Sequence, residues 1–286
     1  MVRSPERREP ERLEQVQGGA VQGGVTRGEA AFGGTAGTTT AGGVVGGEAA
    51  SGGVGLLLGD AEMVDLGALC ARVLRLDPNG LLRVRMVAER VTVYSMLPLD
   101  VLASLTVRSP QPGVGDRTVS AADLLGAIES ATSGARGAGP AGGAEPGRSA
   151  RVLALSATAA RDAAWRGTLP PAAGWSRLDL VPVTAVAAAV RAGRAAFEPA
   201  RGRPDAAAIG GTLLDHQALQ VCDGERAVTL PLRVLYAAWR MGFLGVDPAG
   251  SAGHCAVSMA GGWTRLAAPH GSVYHQRRLG LAVTPG

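Results

Sequence analysis

LPLDVLAS at Leu97–Ser104 and LPLRVLYA at Leu230–Ala237 agree at five of eight positions, and the expected architecture turns on whether the two are equivalent. Each is preceded by a hairpin-like stretch that carries a Glu-Arg pair, Glu89-Arg90 before the first and Glu225-Arg226 before the second. A proline is tolerated in the first turn of a helix, where its missing N–H would have no partner anyway. Pro98 and Pro231 are therefore both expected to open helices. The pair then predicts two ββα units packed in pseudo-symmetry, although the spacing between hairpin and octapeptide differs by three residues.

Leading into the first octapeptide, LLRVRMV (Leu81–Val87) and RVTVYSML (Arg90–Leu97) alternate or cluster β-branched residues around a short turn and predict a hairpin. Before it, DAEMVDLGALCARVLRLD (Asp60–Asp77) spaces Met63, Leu66, Leu69, Cys70, Val73 and Leu76 along one helical face. Asp60 is the expected cap and Pro78 the stop. SAADLLGAIES (Ser120–Ser130) predicts a second helix capped by Ser120. Further on, Val183–Phe197 reads as a helix with Val183, Val186, Val190 and Phe197 on one face. ALQVC and AVTLP flank Asp223-Gly224, a two-residue hairpin signal, and a helix is expected from Pro231 to about Phe243. HCAVSM and WTRLAA, joined by Gly261-Gly262, predict a last hairpin.

The expected fold is α+β, with two small lobes that each contain a hairpin followed by a helix. Residues 1–54 hold 14 Gly and one aromatic, too little apolar surface to offset backbone entropy of about 1–2 kcal/mol per residue, and are expected to be a disordered arm. Residues 55–132 form the first lobe. Residues 133–149, rich in Gly and Pro, read as a linker, and residues 150–286 form the second lobe. Trp165, Trp175, Phe197, Tyr236, Trp239, Phe243, Trp263 and Tyr274 all follow the linker, and only Tyr94 lies between arm and linker.

All 28 basic residues are arginine, so Schiff-base chemistry, a phosphate-loop lysine and a lysine base are excluded from this chain. Residues 151–286 carry 14 Arg against 8 acids, whereas residues 1–150 carry 14 Arg against 16, so an anionic partner would favour the second half. Three dispersed cysteines, Cys70, Cys222 and Cys255, argue against a disulfide framework and fit a reducing compartment. The charged leading residues and the lack of a long apolar run predict a soluble, cytoplasmic protein with no membrane association.

Two sets of candidate contacts arise from residue type. Trp165, Trp175 and Tyr274 are large amphipathic side chains suited to a protein interface. Arg191, Arg194, Arg277 and Arg278 are candidate anion contacts, since guanidinium binds phosphate bidentately. His254, Cys255, His270, Ser272 and His275 supply the residue types of a nucleophile-base pair or a metal site, but without diagnostic spacing. No metal or cofactor is expected.

GTLPPAAGWSRLDLVP, PLRVLYAAWRMGFLG and the ending GSVYHQRR resemble a family of uncharacterised proteins from high-GC bacteria, over about Leu56 to Arg278 without the linker. The resemblance implies a globular chain and carries no activity, ligand or catalytic residue with it. The expected function is a non-catalytic interaction protein with a protein partner and a binding face on the C-terminal lobe. Arg-mediated nucleic acid binding, and a hydrolytic or metal-assisted enzyme using the C-terminal His and Cys residues, are the alternatives; the oligomeric state is left open.

Overall fold

The spacing that predicts a helix after Gly59 is realised in a computed structural model that describes residues 55–110, 115–137, 150–155, 160–224, 226–245 and 253–277. The arm expected at 1–54 lies outside these residues, as do 138–149 of the expected linker. Strand β1 (Gly55–Leu58) leads into helix α1 (Asp60–Leu76), which buries Met63, Leu66, Leu69, Cys70 and Val73. Gly59 rather than Asp60 holds the cap position, without a side-chain cap bond. Asp60 sits instead in the first turn, where its charge complements the helix dipole.

The hairpin of β2 (Leu81–Val87) and β3 (Arg90–Leu97) forms as expected, with Val87 opposite Arg90 across Ala88-Glu89. The next segment corrects the sequence reading. Pro98 does not open a helix: Pro98, Leu99 and Asp100 make a three-residue connection, and the chain returns as strand β4 (Val101–Arg108), with Val101 opposite Leu97. Asp100 takes a φ of +55°, a left-handed conformation that a short polar side chain tolerates. Such a residue closes a three-residue hairpin, and the chain beyond it, Leu105-Thr106-Val107, suits a strand. The first unit is therefore a three-stranded meander, and the expected ββα pseudo-repeat does not form there.

Strand β5 (Gly115–Ser120) precedes α2 (Ala121–Gly137). The Ser120 hydroxyl accepts hydrogen bonds from the Ala122 and Asp123 amides at 3.1 and 3.5 Å, the cap the sequence predicts. The helix backbone continues to Gly137, into the Gly- and Pro-rich stretch expected as linker. Strand β6 (Arg151–Ala154) pairs with β1. Next come β7 (Ser176–Pro182), α3 (Val183–Phe197), α4 (Ala206–Asp215), β8 (Gln217–Asp223), β9 (Arg226–Pro231) and α5 (Leu232–Arg240). The chain ends its described part with β10 (His254–Ala260), β11 (Trp263–Ala268) and β12 (Gly271–Gln276).

Eight of these strands make one antiparallel sheet in the order β5-β2-β3-β4-β12-β11-β10-β7. The seam is the pairing of β4 with β12, through Leu102–Tyr274, Ala103–Val273 and Ser104–Ser272. It joins the flanks of the 133–149 stretch into a continuous sheet. One buried cluster spans both flanks, from Leu69, Val93 and Ala103 to Val186, Leu235 and Val273.

Alternation sorts the sheet into two faces. One carries Val84, Val93, Ala103, Val273, Leu266 and Val257 against the helices. The other carries Tyr94, Leu102, Tyr274 and Trp263 beneath Trp165, Leu169 and Trp175 of the segment that precedes β7.

Candidate functional site

β4 runs four residues past its last pairing with β12, so the edge of Leu105–Arg108 that faces away from β3 has no strand partner among the described residues. A groove of about 910 Å³ opens in this fork. Leu69, Phe243 and Leu244 line it with buried apolar side chains. Val64 on α1 and Trp239 on α5, 67% and 37% exposed, also line it, and both are among the most exposed large apolar side chains of the described residues. Ala187 on α3 and the turn from Pro269 to Ser272 also line it.

Two glycines shape this groove. α5 ends in a Schellman turn: Gly242, at φ +66°, donates to the Trp239 carbonyl at 3.0 Å and Phe243 donates to the Ala238 carbonyl at 2.9 Å. A Cβ on Gly242 would lie 2.8 Å from the guanidinium carbon of Arg72, so the turn leaves room for that cation. A Cβ on Gly271 would meet the Phe243 ring at 2.5 Å, so the hairpin turn approaches the groove floor only because residue 271 has no side chain.

A hollow of about 310 Å³, lined by Arg72, Arg75, Trp239 and Arg240, shares Arg72 and Trp239 with the groove. The Arg194 guanidinium lies 4.8 Å over the Trp239 ring, and the Arg240 guanidinium 6.0 Å from the Tyr236 ring. Arg191 lies one turn before Arg194 on α3, and Ala187 one turn before that, which places all three along one stripe of the helix. Arg277 is elsewhere. It lies just beyond the far end of β12, roughly 20 Å from Gly271 at about 3.3 Å per residue. Arg278 lies outside the described residues.

Trp165, Trp175 and Tyr274 come together on the sheet face opposite the helices. Tyr274 is buried, the two tryptophans are half-buried, and the Trp175 and Tyr274 rings lie 5.7 Å apart, edge to face. The Arg265 guanidinium lies 4.8 Å over Trp175. The indole N–H of Trp165 donates to the Gly167 carbonyl at 2.5 Å, and that of Trp175 to the Pro171 carbonyl at 2.9 Å. Asp162 ties the same segment to the sheet edge, accepting from the Thr118 amide at 2.7 Å and from Arg83 at 2.6 Å. Beside it, paired hydrogen bonds from Arg85 hold the Asp116 carboxyl below its ordinary range.

The residue types of a nucleophilic site are dispersed. Cys255 is buried on the helix side of β10, and burial pushes its thiol up to about 11. His270 and Ser272 line the groove, but no hydrogen bond joins their side chains. Asp215, an acid that could orient a histidine, is paired with Arg233. Among the described residues no three His, Cys, Asp or Glu side chains converge as a metal-binding group. In the sequence, the groove residues Val64, Arg72, Trp239 and Phe243 are legible only as helix members. The punctuation of RMGFLG by Gly242 and Gly245 is the sequence signal that marks the turn carrying Phe243.

Residues 54–146 match a model described as Domain of unknown function (DUF8010), and residues 170–280 one described as Domain of unknown function (DUF8185). The groove draws α1 and β4 from the DUF8010 segment, and α3, α5 and the β11–β12 turn from the DUF8185 segment. No curated protein matches the chain.

Among solved structures, the Caulobacter crescentus beta sliding clamp is similar over 79% of this chain and 65% of its own, at 14% identity and a TM-score of 0.46. The chain thus spans less than two thirds of that clamp. The DNA polymerase III subunit beta of Pseudomonas aeruginosa is similar over 82% of this chain and 68% of its own, at 13% identity and a TM-score of 0.43. The Helicobacter pylori beta clamp in complex with 3,4-difluorobenzamide gives 82% and 68%, 11% identity and a TM-score of 0.43. Among the described residues no helix is long and apolar enough to cross a membrane.

Proposed function

We propose that the chain is a non-catalytic cytoplasmic interaction protein that takes an extended segment of a partner protein in the groove between α1, α5 and the β11–β12 turn. The observation that carries this reading is the β4 edge at Leu105–Arg108, without a strand partner among the described residues, bordering a groove with an apolar lining. An extended peptide can add to such an edge through its backbone while its side chains fill adjacent pockets. This binding face is shared by both halves rather than confined to the C-terminal one. The cluster of Trp165, Trp175 and Tyr274 on the opposite face would then hold the preceding segment to the sheet.

Selection of displayed random 12-residue peptides on the full chain tests this. Recovered peptides should bind about tenfold more weakly to Val64→Asp and to Trp239→Ala, the size of one lost anchor of about 1.4 kcal/mol. Both side chains are exposed enough that the variants should fold, which a thermal melt checks. Failure to recover any binder, or binders indifferent to both changes, would overturn the reading.

A second reading, Arg-mediated nucleic acid binding, draws support from Arg191 and Arg194 lying on the same α3 stripe as Ala187 of the groove. It predicts binding of a single-stranded oligonucleotide that falls steeply with salt.

A further inference from the structure

We infer that the segment taken by the groove is acidic, with carboxylates bound by Arg72, Arg75 and Arg240 beside an apolar anchor at Trp239. The inference rests on the groove reading and adds the chemistry of the partner.

Four arginines from three helices gather around one exposed tryptophan: Arg72 and Arg75 from α1, Arg194 from α3 and Arg240 from α5. None of the four forms an ion pair among the described residues, whereas Arg83, Arg85 and Arg233 are all held by acids. Like charges concentrated in a concave surface raise its potential and draw an opposite charge into it. Arg75, Arg194 and Arg240 all stand in the last turns of their helices, where a cation offsets the helix dipole. That accounts for three of the charges. It does not account for Arg72, which packs against Gly242 and lines both the groove and the hollow.

Arg72 and Trp239 line both cavities, the groove with its apolar Leu69, Phe243 and Leu244 and the hollow with its arginines. A ligand that fills both would therefore carry an apolar part beside an acidic one. A peptide suits this surface better than a nucleic acid strand. Asp65 lines the groove and would repel a continuous phosphate backbone. Trp239 already carries Arg194 over its ring, so no run of stacking platforms is presented. The β4 edge, without a strand partner among the described residues, offers backbone groups that a peptide can match.

Fluorescence anisotropy with three labelled probes tests the inference on the full chain: a peptide of four apolar residues followed by four glutamates, its glutamine counterpart, and a 20-nucleotide thymidine strand. The glutamate peptide should bind about tenfold tighter than the glutamine peptide at low salt, as two or three part-exposed charge pairs would give. Arg72→Gln combined with Arg240→Gln should erase that preference, while Val64→Asp should weaken both peptides. Equal binding of the two peptides would overturn the acidic specificity and leave the groove reading standing. Binding of the oligonucleotide alone would replace the proposal by nucleic acid recognition. No binding by any probe would overturn both the inference and the groove reading.

Discussion

Leu97–Ser104 and Leu230–Ala237 share five of eight residues, yet the first is a turn leading into strand β4 and the second a strand end leading into helix α5. Their fourth residues differ, and the difference is structural: Asp100 adopts φ +55° and turns the chain back, whereas Arg233 continues a right-handed helix into Ala237 and Ala238. The two differing residues also meet. Arg233 donates to the Leu99 carbonyl at 2.8 Å and pairs with Asp100 at 3.4 Å, besides its pair with Asp215. Local similarity therefore predicts neither secondary structure nor symmetry in this chain. The residues after each octapeptide, and those opposite it in the sheet, decide.

The sharpest test of the joined halves is thiol reactivity, because each half buries one cysteine. Cys70 on α1 and Cys255 on β10 are fully buried, with thiols pushed up to about 12 and about 11. Only the exposed Cys222 should react with a thiol reagent in the native protein. Cys70 and Cys255 should become reactive together on titration with denaturant; reaction of one well before the other would separate the halves. Both folded-state values are raised above the ordinary 9.0, so this contribution to stability is complete below pH 9.0 and declines as pH rises through 11 and 12.

Ala103→Pro attacks the octapeptide that became a strand. Ala103 is paired with Ser95 on one side and Val273 on the other, so the substitution should cost about 3 kcal/mol or more and break the seam. A stable, cooperatively melting variant would contradict β4 as a central strand. The sixth residues of the two octapeptides offer a graded comparison. Leu235→Ala in the main core should cost about 3 kcal/mol, and Leu102→Ala in the smaller cluster under Trp263 and Tyr274 about 2 kcal/mol, where neighbours can relax.

Arg233→Ala removes the link between the two octapeptides and should cost about 1.5 kcal/mol in urea unfolding, typical of a hydrogen bond from a charged donor to a carbonyl. A change under a few tenths would mean the contact is incidental. The smallest effect is expected of Asp100→Gly. Relief of the left-handed conformation and loss of the exposed pair with Arg233 oppose each other, leaving a change within about 0.5 kcal/mol. A large loss would show that the Asp100 side chain itself holds the turn.

The amino-acid sequence alone specified the elements whose side chains repeat with a clear period. These are α1 with its buried stripe from Met63 to Val73, the β2–β3 hairpin, α3 from Val183 to Phe197, α5 and the β10–β11 hairpin at Gly261-Gly262. It also contained the Ser120 cap, because capping is a bond between near neighbours. It did not contain β4, whose octapeptide reads equally well as a helix start, or β12, whose short run GSVYHQ has no clean alternation. Nor did it contain the groove. Val64, Arg72, Trp239 and His270 come from three separate stretches of chain and meet only because β4 pairs with β12 for three residues and then parts from it. Pairing between strands so distant in the chain leaves no local periodicity to read, so the seam, and the groove in its fork, belong to the tertiary structure alone.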